Sequence, residues 1–273
     1  MSRIAKCFAR LRRRGEGALI PFLVAGDPNP EVFPHLLRTV AQSGADIIEL
    51  GAPFSDPLAD GAVIQEGFQR ALAYGVTVSD ICRWTRGLRA AADTPVVIMT
   101  CYNLVLQHGL DHFAEEAAGA GVDGVLVTDL PPEESSAWEK VARARGLDRI
   151  FLLAPTSTPE RIRRVARRGS GFIYAVSRLG VTGARAELPP DLPDLAGRIR
   201  ACTDKPIAVG FGISRPEHVR AVCRVADGAV VGSAIVRQVA SAPAVGGRAE
   251  SVGEFVRTLK QATKRGQTSA ADT

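Results

Sequence analysis

No apolar run in this 273-residue chain approaches the ~20 residues that a helix needs to cross a bilayer, which argues against a helical membrane protein. The basic start, Met1-Ser2-Arg3-Ile4-Ala5-Lys6, is not followed by an apolar stretch with a cleavage site, so no export signal is expected. Cysteine is sparse. The five residues Cys7, Cys82, Cys101, Cys202 and Cys223 are an odd number, widely scattered and without a CxxC pair. Such usage fits reduced thiols in a cytoplasmic protein rather than a disulfide framework. Aromatic residues make up only 5% of the chain, and they do not interleave with its basic clusters. Those clusters, Arg10 with Arg12, Arg13 and Arg14, and Arg161 with Arg163, Arg164, Arg167 and Arg168, therefore lack the stacking partners of a nucleic-acid surface. The second fits the solvated face of a helix. A net charge of +5 suits an anionic small substrate better than a polyanion.

What the chain does contain is alternation between short β-rich runs and amphipathic helical segments. The strands are expected at Ala18 to Val24, Asp46 to Leu50, Pro95 to Thr100, Gly124 to Thr128, Arg149 to Leu153, Gly171 to Val176, Pro206 to Val209 and Gly228 to Val231. They are continuous apolar runs, as in a parallel sheet covered by helices on its outside. Helices are expected at Pro30 to Gln42, Leu110 to Ala118, Pro132 to Ala144, Pro159 to Ala166 and Pro216 to Cys223, several opening on proline as helix starts favour. Eight such units predict an α/β fold, a single closed (β/α)₈ barrel over residues 1–265. An open doubly wound sheet would more naturally carry GxGxxG after its first strand, and none follows Val24. Additional helices are expected at Met1 to Arg12, at Ser79 to Ala91 and near Glu250 to Lys264, with Ala240 to Gly247 as a loop. The small, polar tail 266–273 reads as disordered.

The chemistry concentrates where strands meet loops. The run Asp46-Ile47-Ile48-Glu49-Leu50-Gly51 ends a buried strand in a carboxylate, and the following Gly/Pro-punctuated loop brings a second acid, Asp60. In a parallel barrel that end of the strands carries the reaction. Val209-Gly210-Phe211-Gly212-Ile213-Ser214 and Val231-Gly232-Ser233-Ala234-Ile235 place glycine and serine between the last two strands and their helices, where backbone N–H groups can approach a phosphate. The segment from Ser177 to Arg185 is long enough for a lid and equally consistent with a plain surface loop. His108 and His112, four apart and followed by Glu115 and Glu116, could share a helix face, but a zinc-protease motif needs Glu directly after the first His and Gly109 stands there. No metal site is expected. Asp129-Leu130-Pro131-Pro132-Glu133-Glu134 reads as strand end, turn and helix start.

Taken in order, Glu49-Leu50-Gly51-Ala52-Pro53-Phe54-Ser55-Asp56-Pro57-Leu58-Ala59-Asp60-Gly61, Ser177-Arg178-Leu179-Gly180-Val181-Thr182-Gly183 and Gly210-Phe211-Gly212-Ile213-Ser214 resemble the alpha subunit of tryptophan synthase. The likeness runs from Pro21-Phe22 to Gly232-Ser233. It implies a (β/α)₈ barrel that cleaves indole-3-glycerol phosphate to indole and glyceraldehyde 3-phosphate and passes indole to a beta subunit in an α₂β₂ tetramer. It also implies no cofactor in this chain, pyridoxal phosphate being expected only in that partner. By the resemblance Glu49 is the proton-transferring acid, Asp60 the carboxylate that accepts the indole N–H, and Tyr174 the active-site tyrosine. Phe22, Ile64, Met99 and Leu126 map to the walls around the indole. Gly183, Phe211, Gly212, Gly232 and Ser233 map to the phosphate cradle, and Thr182 to the lid.

Four residues depart from the family's habit. Ala62-Val63 replaces a frequent Pro-Thr, Val24 a frequent threonine, and Cys101 an aromatic. Losing the proline frees backbone in the loop that faces the beta subunit. Other functions compatible with the likeness are a stand-alone lyase releasing free indole and a non-catalytic phosphate-binding subunit; intact Glu49 and Asp60 argue against the latter.

Overall fold

The computed structural model of the chain describes residues 1–56, 60–176, 190–210, 212–242 and 247–265. The proposed lid from Ser177 to Arg185 with Thr182 and Gly183, the cradle residue Phe211 and the tail 266–273 lie outside the described residues.

Eight strands form one sheet closed on itself: β1 Ala18–Val24, β2 Ile48–Gly51, β3 Val96–Thr100, β4 Gly124–Val127, β5 Asp148–Leu153, β6 Ile173–Val176, β7 Ile207–Gly210 and β8 Gly228–Val231. Every neighbour pair is parallel, and β1 pairs with β8 to close the ring. The runs are mostly apolar because both faces are covered. One face points into the barrel and the other packs under the helices. The inner layer includes Ile20, Ile47, Val97, Leu126, Ile150, Phe172, Tyr174, Ala208 and Val230. The first helix, Arg3–Arg13, capped by the Ser2 hydroxyl on the Ala5 N–H, sends Ile4, Cys7, Phe8 and Leu11 into the same cluster and plugs one end of the barrel. The opposite end is left for the site.

Aspartates secure the plugged end. The carboxylates of Asp46, Asp123 and Asp227 each accept a strand N–H, from Leu19, Val96 and Ile207, at 2.9 Å in every case. Each also meets a cation: Lys260 on Asp46, Arg3 and Arg89 on Asp123, Arg200 on Asp227. These acids are tied and structural, in contrast to the acid within β2.

Strand ends agree with the sequence expectation to within two residues, and helix ends differ where caps decide them. The helix expected from Ser79 begins at Val78, because Thr77 and Asp80 form a reciprocal capping box. The helix expected from Pro132 begins at Ser136, the intervening residues forming turns with Ser135 Oγ bonded to the Pro132 carbonyl. His108 and His112 do not share one helix. Gly109, at φ 85°, ends Tyr102–His108 and starts Leu110–Gly119, a conformation that glycine adopts without strain. The stretch expected as a loop from Ala240 is entered by the helix Ser233–Ser241.

Candidate active site

Glu49 sits in the middle of β2, paired in register with Phe22 of β1 and Val97 of β3, so its side chain shares the inner face of the barrel with theirs. It is 2% exposed, and neither carboxylate oxygen has a hydrogen-bond partner among the described residues. An ionised carboxylate so placed would be strongly disfavoured, and the proton is therefore held: burial, reinforced by the negative charge of Asp60, pushes the Glu49 carboxyl up to about 8. Asp60 lies just before the helix Ala62–Ala73 and is half-buried; its backbone carbonyl accepts from the Gln65 side chain at 2.7 Å. Burial raises its carboxyl to about 6, below Glu49. Two acids whose surroundings hold them at different values can take different roles at neutral pH.

Both acids line one cavity with Phe22, Ile64, Met99, Leu126 and Tyr174. Tyr174, 5% exposed, has its phenol pushed well above the usual tyrosine range by burial and then by the charges of Glu49 and Asp60, so it is a neutral hydroxyl. Two glycines make room for the rings. A Cβ at Gly210 would stand 2.4 Å from Tyr174 Oη, and one at Gly51 would stand 2.5 Å from Phe22 Cζ. Both glycines are thus required by a close approach of an aromatic ring.

The cavity continues to Gly212, Gly232 and Ser233. Gly212 has φ 81°, and Gly232 caps the helix Ser233–Ser241, whose first turn turns its free N–H groups toward this end of the barrel. This is the arrangement expected of an anion site. Of the thirteen residues assigned to the site from sequence, the ten that are described, Glu49, Asp60, Tyr174, Phe22, Ile64, Met99, Leu126, Gly212, Gly232 and Ser233, all line this one cavity. Sequence reading missed Thr128, Leu152, Ile213 and Val230, which line it too. A two-residue period would have found two of them: Thr128 follows Leu126, and Val230 precedes Gly232, on the same inward face.

The family model described as "Tryptophan synthase alpha chain" matches residues 8–264. The chain belongs to the tryptophan synthase alpha chain family. It is 50% identical over 237 residues to the tryptophan synthase alpha chain of Geobacter sulfurreducens, covering 87% of this chain and 90% of that one. It is 46% identical to that of Solibacter usitatus, covering 96% and 98%. Among solved structures, tryptophan synthase of Mycobacterium tuberculosis superposes with a TM-score of 0.90 at 35% identity, covering 97% of this chain and 99% of that one. The alpha chains of this family are carbon–carbon lyases that cleave indole-3-glycerol phosphate. The departure at Ala62 is mild in this setting. Ala62 is the first residue of its helix, where proline is tolerated because the N–H needs no helical partner, so alanine forfeits only a preset φ.

Proposed function

We propose that this chain cleaves indole-3-glycerol phosphate to indole and glyceraldehyde 3-phosphate by a retro-aldol reaction in which Glu49 and Asp60 are the reacting acids. The carrying observation is the buried Glu49 carboxyl, without a hydrogen-bond partner among the described residues, sharing an apolar cavity with the more acidic Asp60. At neutral pH Glu49 enters protonated and donates its proton to indole C3, breaking the ring's aromaticity and leaving a cation centred on the ring nitrogen. Ionised Asp60 accepts the ring N–H and stabilises that charge as it grows. Glu49, now a carboxylate, takes the proton of the side-chain hydroxyl. The O–H electrons form the aldehyde C=O, the C–C bond breaks, and its electron pair restores the indole. Glu49 ends protonated, ready for another turn. The neutral hydroxyl of Tyr174 bounds the cavity beside the acids.

Phe22, Ile64, Met99 and Leu126 form the apolar walls for the ring, while Gly212, Gly232 and Ser233, with Gly183 and Phe211, hold the phosphate. Thr182 is assigned to the lid by the family resemblance alone and lies outside the described residues. Proton transfer and charge stabilisation suffice for this chemistry, so no cofactor is assigned to this chain. Pyridoxal phosphate belongs to the beta subunit, which receives the indole in an α₂β₂ tetramer. The five cysteines are free among themselves, in keeping with a cytoplasmic setting.

Steady-state cleavage, with and without the beta subunit of the same organism, tests this reading. Indole-3-glycerol phosphate should be turned over, faster when the beta subunit is bound at micromolar concentration. Turnover unaffected by the beta subunit would identify a stand-alone lyase. No turnover in either case would leave only a phosphate-binding subunit.

A further inference from the structure

Outside the catalytic cavity, side chains of metal-ligand chemistry converge across the junction of the helices Tyr102–His108 and Leu110–Gly119. The positive φ of Gly109 reverses the chain's helical phase there and lays the His108 ring on that of His112, with centroids 4.8 Å apart and planes 14° from parallel. Glu116, one turn beyond His112 on the same helix face, brings its carboxylate to 2.7 Å from His108 Nε2. The ligand atoms of all three lie within 4.8 Å of one another. Sequence spacing alone argued against a metal because Gly109 occupies the position that a zinc-protease motif gives to glutamate. The fold supplies its carboxylate from the opposite direction instead.

We propose that His108, His112 and Glu116 form a binding site for a divalent first-row transition ion, Zn²⁺ foremost. Two imidazoles and one carboxylate are a borderline-soft N₂O donor set, matched to zinc, cobalt, nickel or copper and poorly matched to Mg²⁺ or Ca²⁺. Ligand atoms around tetrahedral zinc stand about 3.3 Å apart, as bonds of ~2.0–2.1 Å require. Closing the present cluster to that spacing requires side-chain rotation, for which His112 is the exposed member. The ion takes the place of the hydrogen bond between His108 Nε2 and Glu116, with the imidazole hydrogen of His108 carried on Nδ1. The outer shell is already built. Ser79, on the helix Val78–Arg89, donates to Glu116 Oε2 at 3.1 Å, and Phe113 meets the His108 ring edge-on at 6.0 Å. Such partners hold a ligand's orientation. A bound ion would cross-link the two helices that carry its ligands and lock the Gly109 junction. It stands apart from the cleavage chemistry, and none of its ligands lines the catalytic cavity.

The test is calorimetric titration of the untagged, full-length protein with Zn²⁺, together with His112→Ala and Glu116→Gln. Because His112 is exposed, its replacement should leave the fold intact, which circular dichroism checks. Wild type should bind one Zn²⁺ per chain at ~10 µM or tighter, and Zn²⁺ should raise its thermal midpoint. Each variant should bind at least ~10-fold more weakly and lose the thermal shift. Mg²⁺ should not substitute. No heat of binding at 100 µM Zn²⁺, or binding that survives both substitutions and so resides on cysteines, would overturn the proposal.

Discussion

At the scale of single residues, the site rests on two carboxyls held at different values by burial. Between about 6 and about 8, Asp60 is ionised while Glu49 keeps its proton, so cleavage should follow a bell-shaped pH profile. The acid limb reports loss of the Asp60 charge and the alkaline limb loss of the Glu49 proton, although both apparent values belong to the coupled pair. Replacing Asp60 by Asn removes the anion that opposes a growing ring cation. Its kcat should fall ~100-fold while KM changes little, because the interaction matters most in the transition state. The same substitution removes a negative neighbour that raises Glu49, so the alkaline limb should move to lower pH. A D60N enzyme with unchanged kcat and raised KM would reduce Asp60 to a binding contact. Gly210→Ala is a geometric test: the added methyl, 2.4 Å from Tyr174 Oη, must displace the ring into the cavity or push β7 aside. Lower kcat with reduced stability is expected, and a crystal structure of the variant would show which element gave way.

Among elements, β2 shows how one short strand separates structure from function. Asp46, just before it, is bonded to the Leu19 N–H and Lys260 and anchors the plugged end, whereas Glu49 within it has no hydrogen-bond partner among the described residues and is left to react. Apolar runs announced the strands because a parallel sheet buried on both faces has little place for polar side chains. Glu49 was legible because it interrupts such a run, and Asp60 and the Gly-Ser turns because they follow one where the chain leaves the barrel. Contacts that depend on how distant segments meet were not legible. Asp27 is 2% exposed and receives both Nε and Nη2 of Arg70, at 2.7 and 2.9 Å, from 43 residues away. Leu152 was overlooked because the apolar run Ile150-Phe151-Leu152-Leu153 does not reveal which face turns inward. The meeting of His108 with Glu116 depends on one positive φ. Breaking the Asp27–Arg70 pair should therefore cost far more than breaking an exposed ion pair. Arg70→Ala strands a buried carboxylate and should destabilise the protein by about 2–4 kcal/mol, read as a lower urea midpoint at constant m-value. A loss below ~1 kcal/mol would place the pair among ordinary exposed ion pairs.

For the whole molecule, the same burial that prepares the site makes stability depend on pH. Glu49 has an ordinary value of 4.5 and is held at about 8 when folded, so between these values the native state binds more protons than the unfolded chain. Its contribution is full below 4.5 and is lost as pH rises through about 8. Asp60, raised from 3.8 to about 6, acts in the same sense over its own window. Urea unfolding should accordingly show stability falling from pH 5 toward pH 8.5, and Glu49→Gln, which carries no charge to bury, should flatten that slope. An equally steep slope in the variant would mean that other groups govern it. The barrel, plugged at one end by its first helix, thus keeps at the other end an acid that is costly to ionise and suited to moving a proton. Cleavage of indole-3-glycerol phosphate by Glu49→Gln, measured beside binding of the uncleavable indole-propanol phosphate, tests this account most directly. The amide fills the same space but cannot transfer a proton, so turnover should fall at least ~100-fold with binding nearly unchanged. Turnover above about a tenth of wild type, with the ligand still bound, would contradict it.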